Sequence, residues 1–213
     1  MSPRAGTPPE IVQIRHGVAA RGQFAALSET LARAFEHDAH INWIVRQDGR
    51  RDAAMRELFD LLLGDLGKGA EIFATADLRA AAIWFPPNAW KLGLPAQIRV
   101  ALRFASISGW GNLALRAYGL NLMETRHPKE PHYFLQTIGV DPAAQGKGYG
   151  AALLQALLLR CDESGMAACL ETGNRANIAF YQKYGFRTVS SARLPHGPVL
   201  YQMQRTLGQE TAA

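Results

Sequence analysis

The chain has 213 residues, a formal net charge of +5 and a sequence pI near 9.5, with 48% hydrophobic and 19% charged residues. That is one domain, or one domain with an insertion, with enough apolar residues for a real core, and it excludes a disordered or fibrous chain. The basic excess does not make a nucleic-acid face, because Arg15, Arg21, Arg33, Arg46, Arg50, Arg51, Arg99, Arg103 and Arg116 are scattered rather than gathered with aromatics on one element.

Charge-free runs such as Phe104 to Leu115 fall far short of the ~20 apolar residues that a membrane span requires. The opening segment 1–10, MSPRAGTPPE, has no apolar h-region and is expected to be a flexible lead-in rather than a signal peptide. Residues 207–213 are expected to be a tail. Cys161 and Cys169 lie inside apolar elements with no CxxC, and read as small core residues of a cytoplasmic protein.

In chain order, Ile11 to Arg15 alternates as a short first strand, and Gln23 to Phe35 has a helical period with Phe24, Leu27, Leu31 and Phe35 on one face. His37 to Trp43 breaks that period and reads as a link to a second helix, Arg51 to Leu66, which buries Met55, Leu58, Phe59, Leu62 and Leu66. Glu71 to Ala76 and Arg79 to Phe85 pair as a hairpin about Asp77-Leu78, and Pro86-Pro87 stops the second strand. The insertion at 88–126 holds two further helices, Pro95 to Ala105 and Asn112 to Met123. It reads as a lid or packing element, or else as a substrate or subunit interface.

Tyr133 to Val140 is a strand that Asp141-Pro142 breaks. Then Gln145-Gly146-Lys147-Gly148-Tyr149-Gly150 leads into a helix, Tyr149 to Cys161, that is apolar almost all round and is expected to lie between layers. Ala167 to Glu171 is a short interior strand. Asn174 is a good N-cap, Ile178, Tyr181 and Tyr184 share a helix face, and Gly185 is the expected C′ glycine. Phe186 to Arg193 and Val199 to Met203 close the chain as a hairpin. The order is β-α-α-β-β-(αα)-β-α-β-α-β-β, a mixed α/β domain over residues 11–206.

The glycine loop carries the chemistry. Three alternate glycines let N–H groups converge on one point, where a helix N-terminus adds partial positive charge and Lys147 a full one; such a loop suits a diphosphate. It is not a nucleotide P-loop, because Gly148 and Tyr149 stand where Ser/Thr would hold magnesium. Nor is it a Rossmann fingerprint, because its spacing is G-x-G-x-G.

Gly139-Val140-Asp141-Pro142 with Gln145 to Gly150 resembles the acyl-CoA-binding motif of the GNAT superfamily of N-acetyltransferases. Leu170-Glu171-Thr172, Asn174, Asn177, Phe180-Tyr181 and Tyr184-Gly185-Phe186 resemble its second block. Pro128 to Pro131, Phe134-Leu135, Leu170 to Thr172 and the tail Pro195-x-Gly197-Pro198 resemble the puromycin N-acetyltransferases within it. These likenesses cover Pro128 to Arg205 densely and the first half loosely, chiefly at Ala82 to Pro87.

The resemblance implies the GNAT fold: a mostly antiparallel sheet splayed between the fourth and fifth strands, flanked by helices, with a helical insertion between the third and fourth. It implies an acetyl-CoA-dependent N-acyltransferase that moves an acyl group other than an aminoacyl group. Amides near Ile138 and Val140 would then receive the thioester oxygen and the pantetheine arm, with Gly139 at a bulge that tolerates φ > 0. The acyl-CoA set is thus Ile138, Gly139, Val140, Gln145, Gly146, Lys147, Gly148, Tyr149, Gly150, Asn174 and Tyr181.

Tyr181 matches the superfamily's tyrosine acid, and a phenol with a pKa near ~10 stays protonated to supply the departing thiolate. Asn174 resembles the residue that holds the pantetheine amide. The strand from His132 to Val140 has no carboxylate, so Glu171 is the preferred base, with a water chain from Glu171 or Asp38 as an alternative. Phe35, Asp38 and Trp43, which interrupt the first helical pattern, are expected to line the acceptor site. His37 and His40 without a third ligand do not make a metal site.

The acceptor is expected to be a small-molecule amine. A peptide amine, or a non-catalytic acyl-CoA-binding module, are the competing readings. Neither nucleic acid nor membrane is expected as a partner, and the chain is expected to be a monomer or homodimer.

Overall fold

The computed structural model describes residues 9–17, 20–87, 89 and 94–206. Residues 1–8 of the expected lead-in, the tail at 207–213, and residues 88 and 90–93 of the insertion lie outside them. The elements are β1 (Ile11–Ile14), α1 (Ala20–Ala34), α2 (Ala39–Ile44), α3 (Arg51–Leu63), β2 (Glu71–Thr75), β3 (Ala80–Phe85), α4 (Leu94–Ser108) and α5 (Leu113–Glu124). There follow β4 (His132–Val140), α6 (Tyr149–Ser164), β5 (Ala167–Thr172), α7 (Arg175–Gln182), β6 (Arg187–Arg193) and β7 (Val199–Arg205).

The strands form one sheet in the order β1-β2-β3-β4-β5-β7-β6, antiparallel throughout except for the parallel pair β4–β5. Strand alternation divides the core in two. Ile72, Ala74, Ala81, Ile83 and Phe85 face the layer of α1 and α3, packing with Leu27, Leu31, Leu58 and Phe59. Phe73, Ala80, Ala82, Trp84 and Leu135 face α6, packing with Leu153, Leu154, Leu157 and Leu158. Trp84 is core, fully buried.

Three elements differ from the sequence expectation. The linker at 37–43 contains a helix, α2, because Asp38 caps it: its Oδ1 accepts from the N–H groups of His40 and Ile41, both at 2.9 Å. Six residues are too few for a periodicity to show. α3 ends at Leu63 rather than Leu66, where the chain turns out of the helix at Gly64, whose added Cβ would lie 2.8 Å from the Asp60 carbonyl. α6 does not lie between layers: it buries one side on the sheet and leaves Leu159 62% exposed.

The hairpin tip is held from α1, where Thr30 Oγ1 donates to the Leu78 carbonyl at 2.9 Å; Leu78 sits at φ +56. The helices of the insertion are present, and a 3-10 turn at Trp110–Asn112 joins them.

What positions the site is the middle of β4. Opposite β3, Ile83 pairs with Thr137 and Trp84 with Leu135, so Gln136 is the extra residue of a bulge. On its other side β4 pairs with β5 only from His132 to Leu135, against Ala167 to Leu170. Beyond that point the two strands part. Gly139 is not the bulge and has no positive φ. A Cβ there would come within 2.7 Å of Leu31 and 2.8 Å of Phe35, so glycine is required by the close approach of α1.

Candidate active site

The parting of β4 and β5 exposes one edge of β4. Asp141 N–H donates to the Arg79 carbonyl at 2.8 Å across the β3–β4 ladder. Antiparallel alternation then turns the amides of Gly139 and Thr137 towards β3, and leaves those of Ile138 and Val140 facing the gap. These are two fixed donors with no strand opposite them.

A groove of about 780 Å³ runs from this edge over the start of α6, bordered by Ile138, Gly139, Val140, Gln145, Gly146, Gly148, Tyr149, Gly150 and Asn174. Gly146 and Gly148 have φ of +75 and +84, and nothing lies within 4 Å of where their Cβ atoms would stand, so the loop is an open cradle. Gly148 caps the 16-residue α6, whose first-turn N–H groups have no intrahelical acceptor and point into the cradle's mouth.

Three loop side chains support the loop itself. Gln145 Nε2 donates to the Val140 carbonyl at 3.2 Å, Tyr149 Oη to Asp77 at 2.9 Å, and Lys147 Nζ to the Ala143 carbonyl at 2.8 Å. Lys147 is not among the residues that line the groove. Arg33 does line it, and bonds Asp141 at 2.8 Å, tying α1 to the turn that precedes the loop.

A second cavity, of about 760 Å³, opens on the other side of the gap, between β4, β5, α3, α4 and α5. Both cavities are lined by Phe35, Asp38, Ile138, Asn177 and Tyr181. They therefore meet at the parted strands, with Tyr181 at the junction. Asn174 reaches the groove as the cap of α7, its Oδ1 accepting from Ala176 N–H at 3.0 Å.

Electrostatics at the junction follow from burial. Tyr181 is 6% exposed, and burial first, then the nearby Asp38 carboxylate, raises its pKa well above that of an ordinary phenol. It stays protonated at any working pH. Glu171 lines the second cavity with one carboxylate oxygen, Oε2, sealed from solvent and without a partner. Burial pushes this carboxyl up to about 7, against a smaller opposing pull from Arg126. His40 lines the same cavity; burial holds its ring neutral despite Asp38, and its Nε2 is likewise sealed and unpartnered.

Phe35 and Asp38, expected to line the acceptor site, lie between the two cavities. Trp43 does not. Its Nε1 donates to the Pro195 carbonyl at 2.9 Å, Arg116 stacks 4.4 Å from its ring centroid, and Gly119 and Gly197 leave it room where any Cβ would overlap the indole. Trp43 fastens α2 to α5 and the β6–β7 turn. Sequence reasoning missed the cavity role of His40, Asn177 and the insertion's inner face (Val100, Phe104, Leu120). Asn177 stood inside the matching motif; His40 had no signal beyond a pair of histidines.

Residues 104–186 match the family model described as the acetyltransferase (GNAT) family. Among curated proteins, the N-alpha-acetyltransferase RimI of Mycobacterium tuberculosis is 38% identical over 79 residues, covering 36% of this chain and 50% of the relative. The chain thus spans about half the length of that relative. Among solved structures, a Corynebacterium glutamicum protein described as histone acetyltransferase HPA2 and related acetyltransferase superposes with a TM-score of 0.71 at 20% identity, covering 97% of this chain and all of that one. The polyamine N-acetyltransferase of Drosophila melanogaster gives 0.56 at 17% identity, over 93% of this chain and all of the other. Segment 104–186 therefore resembles the GNAT acetyltransferase family, and the fold around it is that of these solved acetyltransferase structures. No described helix is long and apolar enough to cross a membrane.

Proposed function

We propose that the chain is an acetyl-CoA-dependent N-acetyltransferase whose acceptor is a small-molecule amine, as in the puromycin N-acetyltransferases that its motifs resemble. The observation that carries this reading is the meeting of two cavities at Tyr181, beside a strand edge with two free amides. The groove suits acyl-CoA: an open glycine cradle at a helix N-terminus fits a diphosphate, and the unpaired edge of β4 fits the amides of a pantetheine arm. When bound, acetyl-CoA supplies the activated acetyl group.

The chain's own residues then divide the work. Phe35 and Asp38 orient the acceptor nitrogen at the junction. Glu171, half ionised near neutrality, takes the proton from the amine, directly or through one water. The amides of Ile138 and Val140 stabilise the negative charge that develops on oxygen during attack. Tyr181 gives its proton to the leaving sulfur, which burial equips it to do because it never loses that proton beforehand. Asn174, with Oδ1 committed to the cap, has its amide N–H₂ for the arm.

A peptide α-amine is the second reading, favoured by the likeness to the N-alpha-acetyltransferase. An α-amine has a pKa near ~8 and needs little help to become neutral, whereas an alkylamine, like a lysine at ~10.4, relies on a base in the site. Two buried free thiols accord with a reducing, cytoplasmic setting, and the same reading has the chain act as a monomer or homodimer. Free-thiol release from acetyl-CoA, followed across a panel of amines that includes puromycin, peptide N-termini and peptide lysines, tests the assignment. Faster acetylation of the peptides than of every small amine overturns the small-molecule acceptor.

A further inference from the structure

We propose that the acceptor is a monocation with a single amine and a long apolar body, an alkyl or arylalkyl chain lying between α3 and the α4–α5 pair. The inference rests on the N-acetyltransferase reading and names the substrate class of that site. Among the described residues that line the second cavity, Asp38 and Glu171 are the acidic side chains and there is no lysine or arginine. The cavity is therefore made for positive charge, but only at one end. Asp38 caps α2 at the junction, and Glu171 stands at the end of β5, where the strands part.

Two sealed polar atoms reinforce this polarity. Glu171 Oε2 and His40 Nε2 have no partner and lie in the wall of the same cavity. A buried polar group without a partner is costly, and a cation in the cavity stabilises these sealed atoms through space, while its three N–H donors serve the carboxylate oxygens that face the cavity. One amine satisfies this end.

The opposite wall offers no carboxylate to a second charge, only the neutral amides of Gln97 and Asn121 in an otherwise apolar surface. It is built from Leu58 and Leu62 on α3, Leu66 just beyond it, Val100 and Phe104 on α4, and Leu120 on α5. The insertion thus works as a wall for the body of the substrate. A second ammonium there would lose its water with no carboxylate to replace it. A methyl group would gain. The volume of about 760 Å³ leaves room for a body of drug-like size.

The test is a pair of primary amines of equal length, heptylamine and 1,6-diaminohexane, which differ only in a terminal methyl against a terminal ammonium. Thiol release from acetyl-CoA is measured with each, and with butylamine and hexylamine. Each buried methylene is worth about fourfold, so kcat/KM should rise about tenfold or more from butylamine to hexylamine. Heptylamine should exceed the diamine by about 100-fold. The half-buried Val100 changed to glutamate (Val100→Glu) should narrow or invert that ratio, by giving the second charge a partner. A flat chain-length series, or a diamine as good as heptylamine, overturns the proposal and leaves the enzyme reading standing. Failure of every amine to release thiol overturns both.

Discussion

If Glu171 takes the proton, its displaced pKa must appear in both rate and stability, with opposite signs. The ordinary carboxyl value of 4.5 becomes about 7 in the folded protein. About a tenth of the molecules then carry the carboxylate at pH 6 and about nine-tenths at pH 8, so kcat/KM should rise about tenfold between them. The acceptor in this assay should be an amine with fluorines beside the nitrogen, neutral above pH 6, so that its own titration adds no limb. Glu171→Gln should flatten the profile and lower the rate by roughly 10²–10⁴. Stability runs the other way. The folded protein holds this proton more tightly than the unfolded chain, so stability is full below pH 4.5, declines as pH rises towards 7, and is lowest above it. The whole displacement corresponds to about 3 kcal/mol. At pH 8 the glutamine variant should therefore melt higher than the parent, by up to about 10 °C for a chain of this size, and the gap should close at pH 4. A glutamine variant with the parent's rate and an unmoved limb removes Glu171 from the proton path. Melting curves that stay parallel across the pH range refute the displaced pKa itself.

Tyr181→Phe should keep acetyl-CoA affinity while lowering kcat by roughly 10²–10⁴; near-normal turnover, measured beside calorimetric affinity, assigns Tyr181 to packing alone. Gly148→Val should abolish acetyl-CoA binding, because a branched side chain at φ +84 fills the open cradle and strains the turn; unchanged affinity by calorimetry in a folded variant contradicts the diphosphate site. Asp38→Ala should cost about 1 kcal/mol of stability through the lost cap, and should raise KM more than it lowers kcat; a fall in kcat at constant KM makes Asp38 part of the chemistry instead.

The sequence was most legible where backbone conformation and residue type coincide. The loop from Gln145 to Gly150 could be located because glycine is needed at Gly146 and Gly148 for positive φ. Asn174 could be read as a cap because a short polar side chain before a helix has one common use. Gly139 shows the limit of that logic. A glycine demanded by a neighbour 108 residues away, Leu31, looks the same in sequence as a glycine demanded by its own φ, and only the packing of α1 on β4 separates them.

The second cavity was illegible for a related reason. Leu58, Leu62 and Leu66 repeat at helical spacing and read as core, since an apolar stripe that faces another side chain has the same pattern as one that faces a substrate. Trp43 failed in the opposite direction: an aromatic in an irregular segment suggested a binding wall, but the indole is held by Gly119 and Gly197, each distant in sequence. What the pattern did contain was the asymmetry of charge. Arginines and lysines abound along the chain, and none of those in the described residues lines the second cavity. A protein with an excess of cations that keeps them out of one cavity, and leaves one carboxylate oxygen and one imidazole nitrogen in its wall unpartnered, has the charge pattern expected if that cavity takes a cationic acceptor, as proposed above.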